Sequence, residues 1–372
     1  MVPVNRESEV LEKVDHAVAD RAPRFTTIDA LRGLAALIVV LPHSGGFFSS
    51  LDEDSWSQVV MNFLGQVGLY GVDIFFVLSG FVIASTSAKR PLSFGGVPHF
   101  MWRRMVRIAP PYWASLLLVL ACLKFQFLLG HGHGSFPGLG DVAAHVFYLQ
   151  DILGVEELNV VYWTLCVEVQ FYLFFAIALA GFSFATKWLS FSRAQVALVG
   201  LVATAAASLA FHFYEPIARP YHGLFFGYWH EFALGIMALV FIRRTDLLTR
   251  LLILATIAAI GASAACTQQW HTVAAAVTAL LVLDLGRKDL LATSGRQPVL
   301  QYLGRISYSL YLVHVPMIFL WLAARMRFHP EWPVASWVFF AGMLACSILL
   351  AHLMNVLVEL PAMRWSRRCR AV

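Results

Sequence analysis

Charged residues are scarce in this chain. They make up only 13% of the 372 residues, whereas hydrophobic residues make up 59%. Ordinary soluble domains carry roughly 25% charged residues, so this composition excludes a typical water-soluble fold. The apolar residues occur in blocks about as long as the ~20 residues with which a helix crosses a ~30 Å hydrocarbon core. The sequence therefore predicts an all-α protein that spans a membrane several times.

Motifs for metals, disulfides and nucleotides are also missing. The five cysteines are scattered without a CxxC pair, which argues against a disulfide framework or a zinc site. No HExxH, GxSxG or Walker-type glycine loop is present, so a zinc protease, a serine hydrolase and a nucleoside triphosphate site are not indicated. His131 and His133 could bind a metal, but two histidines in a Gly-rich loop favour a flexible loop. We expect no metal and no permanently bound cofactor.

Ten apolar runs predict ten transmembrane helices joined by polar connections. They divide the chain into a polar tail at residues 1–26, a membrane domain at 27–358 and a basic tail at 359–372. The first tail lacks the short apolar core of a cleavable signal peptide. The predicted spans are 27–47, 67–86, 111–130, 161–182, 194–213, 222–242, 249–266, 270–285, 302–323 and 334–358.

The distribution of lysine and arginine predicts the orientation of these helices. With ten spans and a cytosolic N-terminus, nearly all basic residues fall on the cytosolic side, as membrane proteins prefer. The exceptions are Lys124, Arg219, Arg325 and Arg327. We therefore expect both termini in the cytosol. The net charge of +5 and the pI near 9.0 then report orientation in a membrane, not binding to nucleic acid.

The first span contains Arg32 and His43, and ionisable residues inside a span are functional candidates by default. The two residues lie about three helical turns apart, on one face, with ~16 Å between them along the axis. This distance is comparable to an extended pantetheine arm. Arg32 could bind a phosphate at the cytosolic mouth, while His43 could exchange a proton deeper in the membrane. The alternative is an interhelical histidine and an arginine that only marks the cytosolic side.

The second span contains Asp73 near its outer end and the small pair Ser79 and Gly80 near its inner end. Asp73 could hold His43 in a productive tautomer, as acidic partners do in catalytic pairs, or it could pair with another polar neighbour. Small residues let helices or ligands approach closely. Ser79 and Gly80 therefore fit either packing or binding.

Three further candidates follow in the chain. Arg104 and Arg107 are three residues apart and share a side if their segment is helical, and forked guanidinium groups suit phosphate oxygens. Anchoring to anionic lipid headgroups is the alternative. Glu168 lies in the otherwise apolar fourth span, where a buried carboxyl needs a partner. For Glu168, as for Glu231 and His314, a structural hydrogen bond is the alternative to catalysis.

Six motifs in this order resemble the acyltransferase 3 family of membrane acyltransferases, which includes bacterial O-acetyltransferases of surface polysaccharides. The resemblance covers most of residues 27–364. The motifs are Ile28-Asp-Ala-Leu-Arg-Gly33 with His43, Gly71-x-Asp-x-Phe-Phe-x-x-Ser-Gly-Phe81, Arg104-x-x-Arg107, Trp163-Thr-Leu-x-Val-Glu168-x-Gln-Phe-Tyr172, Gly304-x-x-Ser-Tyr-x-Leu-Tyr-Leu-x-His314 and Glu359-Leu-Pro361.

The resemblance implies a ten-helix domain that takes acyl groups from cytosolic acyl-CoA and delivers them to an acceptor at the outer side. It implies that His43 is the catalytic histidine and that Arg32, Arg104 and Arg107 contact the CoA end. Where the family commonly has two adjacent glutamates, this chain has only Glu168 followed by Val169. Many larger relatives add an extracytoplasmic domain, so acceptor recognition here is expected in the membrane domain and its outer loops, or in a partner.

Taken together, the sequence predicts a membrane O-acyltransferase, most simply an O-acetyltransferase, in the bacterial inner membrane. The predicted partners are acyl-CoA, the lipid bilayer, a glycan acceptor of an exopolysaccharide, lipopolysaccharide or lipid-linked intermediate, and other polysaccharide-assembly proteins. We assign catalysis to His43, Glu168 and Asp73, and CoA binding to Arg32, Arg104, Arg107 and Ser79. A proton-coupled transporter or flippase is the alternative, although the two halves of the chain lack the mutual resemblance of an inverted repeat.

Overall fold

The computed structural model describes residues 25–49, 55–87, 92–128, 136–185, 193–213, 223–328 and 333–368. Throughout these residues the regular elements are helices. His131, His133 and most of the predicted N-terminal tail lie outside the described residues. The helices are α1 Thr26–His43, α2 Trp56–Leu69, α3 Gly71–Ser87, α4 Val97–Leu128, α5 Leu139–Val146, α6 Gln150–Leu153, α7 Trp163–Ala185, α8 Arg193–Phe213, α9 Trp229–Arg243, α10 Leu247–Cys266, α11 Trp270–Arg287, α12 Pro298–Phe328, α13 Pro333–Met354 and α14 Leu360–Arg368.

The prediction of an all-α protein with many transmembrane helices is confirmed. Nine segments of the described chain are long and apolar enough to cross a membrane, because each holds at least 18 helical residues with few charges. Nine of the ten predicted spans correspond to these segments. The tenth, predicted at 270–285, is helix α11, which with 18 residues is long enough but is less apolar than these nine segments.

Several helices extend beyond their predicted bounds. Helix α4 begins at Val97 instead of residue 111, so Arg104 and Arg107 lie within a continuous helix. At the other end of the chain, α13 continues through a π-helical segment, Asn355–Glu359, into α14. The segment expected to start a polar tail at residue 359 is therefore helical as far as residue 368. Such π-helical segments occur often at functional sites.

Two close helix crossings determine which faces meet inside the bundle. At the crossing of α1 and α12, a Cβ on Gly304 would overlap the carbonyl oxygen of Asp29, and one on Gly33 would come within 2.6 Å of the Gly304 nitrogen. At the crossing of α3 and α9, a Cβ on Gly80 would overlap the carbonyl oxygen of Phe232. Glycine is required at these positions because helix backbones touch there.

Aromatic side chains fill the interior between α3, α7 and α9. The rings of Phe171 and Phe232 stack with their centroids 4.0 Å apart, and Phe76 stacks on the other side of Phe232 at 4.6 Å. Phe171, Phe232 and Phe76 are all buried. Such stacked aromatic contacts contribute beyond their buried area, so this cluster holds α3 and α7 against α9.

The crossing of α1 and α12 gives the first prediction. Gly304→Ala is expected to lower the stability of the protein by about 1–3 kcal/mol, as overpacking does, because its methyl group must displace the backbone at Asp29. The measurement is thermal unfolding of the purified protein in detergent.

Gly181→Ala is the matched control, since a Cβ on this helical glycine of α7 meets nothing within 4 Å. Its melting temperature should be unchanged or higher, because alanine favours helix more than glycine does. Equal melting temperatures for both variants would contradict the tight crossing.

Candidate functional site

Two narrow, adjoining cavities, at the end of the bundle that the sequence predicts to face the cytosol, bring the predicted residues together. One is lined by Arg32, Ser79, Arg104, Arg107 and Glu168. The other shares Arg32, Ser79 and Glu168 and extends toward the outer side. Thus all four residues predicted to bind CoA, together with one predicted catalytic residue, line connected space. Helices α1, α3, α4 and α7 each contribute at least one of them.

Arg104 is held in place by its neighbours on three elements. Its Nη2 donates a hydrogen bond of 2.8 Å to the Thr86 hydroxyl. The guanidinium group also lies over the rings of Phe100 and Tyr172, at 5.4 and 5.6 Å from their centroids. Cation–π contacts of this kind are favourable for arginine. The guanidinium is therefore preorganised at the cavity wall and keeps further donors for an anion.

The Glu168 carboxyl is the hydrogen-bond acceptor at the centre of the two cavities. Its Oε1 accepts a 2.5 Å hydrogen bond from the Tyr172 hydroxyl and a 3.3 Å hydrogen bond from the Ser79 hydroxyl. Bonds to a charged acceptor are shorter and stronger than neutral ones. Ser79 thus lines this cavity and donates to Glu168, while its neighbour Gly80 packs against the backbone of α9.

His43 and His314 lie side by side beyond the outer end of these cavities. Their ring centroids are 5.4 Å apart. His314 is fully buried, its Nδ1 lies 3.3 Å from the Leu310 carbonyl oxygen, and its Nε2 has no hydrogen-bond partner. A histidine whose Nδ1 donates to a carbonyl presents a free lone pair on Nε2. The pair therefore contains one nitrogen that is able to accept a hydrogen bond.

Tyr311 connects the histidine pair to the cavities. Its ring centroid lies 5.9 Å from that of His314, and its hydroxyl is 2.7 Å from the Thr164 hydroxyl. Both Tyr311 and Thr164 line the outer end of the cavity that contains Arg32 and Glu168. A ligand held by the arginines could therefore extend between α1, α7 and α12 toward His43.

Asp73 lies in a different polar cluster from the one expected for an orienter of His43. Its Oδ2 is 2.9 Å from His271 Nδ1, and within the described residues no hydrogen bond joins it to His43. Glu231, which is also buried, lies beside Asp73. Of the two sequence-based interpretations, the structure favours pairing with another polar neighbour. The reason is the position of α11, whose first turn brings His271 to Asp73.

Glu359 is a cavity residue that received no role from the sequence. It lines the cavity with the three arginines, and its Oε2 accepts hydrogen bonds from Ser309 at 2.7 Å and from Asn355 at 2.9 Å. The π-helical turn places Asn355 and Glu359 on the same side. The available signal was the Glu359-Leu-Pro361 motif, which ends the apolar run with a carboxyl group.

The arrangement combines guanidinium groups near one end of the connected space with imidazole groups beyond the other. Guanidinium groups bind phosphate or carboxylate oxygens, and an imidazole can accept and return a proton near neutral pH. The two functions are separated by ~16 Å along α1. This geometry suits a long anionic ligand whose reactive end lies far from its charges.

Comparison with known proteins decides the family of the chain. The sequence profile of the acyltransferase 3 family, described as an acyltransferase domain, matches residues 25–352. The chain belongs to the acyltransferase 3 family. It is accordingly an O-acyltransferase enzyme of the membrane, and the resemblance noted from its motifs is confirmed.

Relatives of this acyltransferase are named as an acyltransferase, a membrane-bound transacylase and an O-acetyltransferase. It is 26% identical to acyltransferase MdmB of Streptomyces mycarofaciens over 95% of both chains. It is 29% identical to BcsY of Komagataeibacter xylinus, a predicted membrane-bound transacylase, over 93% of this chain and 84% of the relative. A predicted O-acetyltransferase of Staphylococcus aureus is 26% identical, over 41% of this chain and 24% of the relative. No solved structure matches the chain.

The hydrogen bond from Tyr172 to Glu168 gives the second prediction. Tyr172→Phe is expected to lower the stability of the acyltransferase by up to about 3 kcal/mol, because a hydrogen bond to a charged group contributes about 1.5–3 kcal/mol. Thermal unfolding in detergent measures the change. Tyr228→Phe is the control, since the Tyr228 hydroxyl makes no hydrogen bond among the described residues. An equal loss of stability in Tyr228→Phe would show that the Tyr172–Glu168 hydrogen bond is not the cause of the effect.

Proposed function

We propose that this acyltransferase transfers an acyl group, most simply acetyl, from cytosolic acyl-CoA to a sugar hydroxyl. The acceptor is a glycan of an exopolysaccharide, a lipopolysaccharide or a lipid-linked intermediate at the outer side of the bacterial inner membrane. The observation that carries the proposal is the convergence of Arg32, Arg104, Arg107, Ser79 and Glu168 on connected cavities. Membership of the acyltransferase 3 family supports the same reaction type.

In this proposal the arginines bind the CoA phosphates from the cytosol. Arg104 is already oriented by Thr86 and by two aromatic rings, so little rotamer entropy is lost when a phosphate binds. The pantetheine arm extends along α1, past Ser79 and Thr164. The ~16 Å between Arg32 and His43 along the helix axis matches the length that this arm must cover.

His43 acts as the general base of the transfer. It takes the proton from the acceptor hydroxyl while the hydroxyl oxygen attacks the thioester carbonyl carbon. The carbon–sulfur bond then breaks, and the CoA thiolate leaves and takes up the proton that His43 holds, which restores the base. The His314 ring lies next to this base, with the two ring centroids 5.4 Å apart. Direct transfer and transfer through a covalent acyl-enzyme both fit this geometry.

Glu168 balances charge among the arginines through the hydrogen bonds at its Oε1. The sequence assigned a catalytic role to Asp73. In this proposal Asp73 pairs with His271 and does not orient His43. Other polysaccharide-assembly proteins are expected to supply the acceptor, since this reaction consumes a preformed sugar hydroxyl.

The third prediction concerns His43. In membranes that contain His43→Ala, transfer of label from radiolabelled acetyl-CoA to total glycan is expected to fall by about 10²–10⁴-fold, the usual contribution of a general base. His99→Ala is the control, because His99 is an exposed histidine at the start of α4. Undiminished labelling in His43→Ala at equal expression would reject the mechanism.

The fourth prediction concerns the arginines. Arg104→Gln and Arg107→Gln are expected to raise the KM for acetyl-CoA by about 10-fold or more each, because each removes a charge-assisted hydrogen bond worth about 1.5–3 kcal/mol. Steady-state kinetics with acetyl-CoA and with acetyl-pantetheine separate the effects. Acetyl-pantetheine lacks the nucleotide phosphates, so its KM should not change. Equal increases for both donors would show that the arginines act on something other than phosphate.

A transporter or flippase for a polar substrate is the second candidate function. The polar cluster of Asp73, His271 and Glu231 supports it, because carboxyl and imidazole groups inside a transmembrane bundle can relay protons across a membrane. The two functions differ in donor consumption. Movement of a glycan by wild-type protein without release of CoA would favour transport over acyl transfer.

A further inference from the structure

The segment between α5 and α7 contains an unusual concentration of buried polar groups without partners. In the described part of the chain, eleven buried side-chain nitrogen and oxygen atoms have no hydrogen-bond partner, and six of these belong to residues 148–159. They are the Tyr148 hydroxyl, both polar atoms of the Gln150 amide, Asp151 Oδ2, Glu157 Oε1 and Asn159 Nδ2. Native proteins leave few such groups unpaired, so this concentration points to a ligand or to bound water.

Gln150 is the decisive residue of the group. Its side chain is 0% exposed, and neither its amide nitrogen nor its amide oxygen has a partner. The amide lies beside the Glu157 carboxyl without completing a hydrogen bond of normal geometry. Burying an amide without a hydrogen bond is costly. An amide kept in this position is therefore best explained by a molecule that satisfies it.

Contacts within the segment orient these groups. His145 is fully buried; its Nδ1 lies 2.7 Å from the Asp141 carbonyl oxygen, and its Nε2 accepts a 3.1 Å hydrogen bond from the Leu158 nitrogen. Asn159 Oδ1 accepts a hydrogen bond from the Val161 nitrogen, which leaves Nδ2 as a free donor. Tyr148 has a φ of 60°, which is rare for a bulky residue. The groups are therefore fixed before any ligand binds.

The segment lies against the outer end of the cavity that contains Arg32, Thr164 and Glu168. The Asp151 carboxyl contacts the Cys166 thiol on α7, two residues after Thr164, which lines the cavity. Tyr148 stacks on Tyr112 with ring centroids 4.4 Å apart. A molecule held by this segment would therefore approach the reacting end of the donor from the outer side.

The chemistry of the free atoms distinguishes between possible occupants. A cation would use only acceptor oxygens, such as Asp151 Oδ2 and Glu157 Oε1. The unpartnered set also contains donors, namely the Tyr148 hydroxyl and the amide nitrogens of Gln150 and Asn159. Burial, and next the neighbouring Asp151, raise the pKa of Glu157 to about 8, so at neutral pH this carboxyl can donate as well as accept. Sugar hydroxyls both donate and accept hydrogen bonds.

We propose that Tyr148, Gln150, Asp151, Glu157 and Asn159 form the acceptor-recognition site and bind the hydroxyl groups of a sugar. This inference rests on the proposed function, since it names the residues that hold the acceptor for the same reaction. Acceptor specificity then belongs to the outer segment, and donor specificity to the arginine-lined cavities on the cytosolic side.

Gln150→Met tests the proposal because it keeps the length of the side chain and removes its polar atoms. In the purified enzyme the KM for the glycan that wild-type membranes label is expected to rise at least tenfold, while the KM for acetyl-CoA stays unchanged. The melting temperature without acceptor should stay the same or rise, because the variant no longer buries an unpaired amide. Asn159→Leu is the second variant; the same rise in the acceptor KM is expected, but its melting temperature should fall, because it also loses the hydrogen bond from the Val161 nitrogen to Oδ1.

Gln170→Met is the matched control. Its amide is fully used, since Nε2 donates to the Gly223 carbonyl oxygen at 2.7 Å and Oε1 accepts from the Phe225 nitrogen at 3.1 Å. Its melting temperature should fall. If Gln150→Met lowers the melting temperature in the same way and neither variant raises the acceptor KM, the groups hold internal water only, and the proposal is overturned.

Failure of the proposed function would give a different result. Wild-type enzyme would then label no glycan and release no CoA from any acyl-CoA. The melting temperatures of the variants would still show whether the unpartnered groups bind an external molecule. A loss of melting temperature in Gln150→Met would overturn the recognition site, whereas an unchanged or higher value would support a site that an external molecule fills.

Discussion

Helices α1 and α12 cross at Gly33 and Gly304 so closely that neither position has room for a Cβ. The approach places the face of α1 that carries Arg32 and His43 against the face of α12 that carries Tyr308, Tyr311 and His314. Without it, these polar side chains would have to face lipid, where ionisable groups are costly. The backbone contact thus makes possible a polar path through an apolar bundle.

The residues of this path differ in how their hydrogen-bonding needs are met. Arg104 and Glu168 have partners on neighbouring helices, so the arginine-lined end of the path is preorganised. His314 and the outer segment retain unpaired atoms. Unpaired polar groups reduce stability, and proteins keep them chiefly where binding or catalysis requires them. The two ends of the path therefore fit different tasks: fixed charge at one end, and open hydrogen-bonding capacity at the other.

Many residues of the arginine-lined cavity could be predicted from sequence because they occur in short motifs on single helices. The three-residue spacing of Arg104 and Arg107 predicted that both lie on one side of a helix. In the structure both lie in α4 and line the same cavity. The role of Asp73 could not be predicted in this way. Its partner His271 is 198 residues away in the chain, and no local pattern indicates which of the histidines will meet this carboxyl.

The sequence by itself determined the membrane class, the number of long apolar helices to within one and the family, because hydrophobic periodicity and motif order are local properties. It also identified Arg32, Arg104, Arg107, Ser79 and Glu168 as candidates. Only the tertiary structure decided that these five line connected cavities, that His314 stands beside His43, and that the Gln150 amide and Asn159 Nδ2 are buried without partners. These are consequences of helix packing, which joins residues far apart in the chain and depends on backbone contacts at a few glycines.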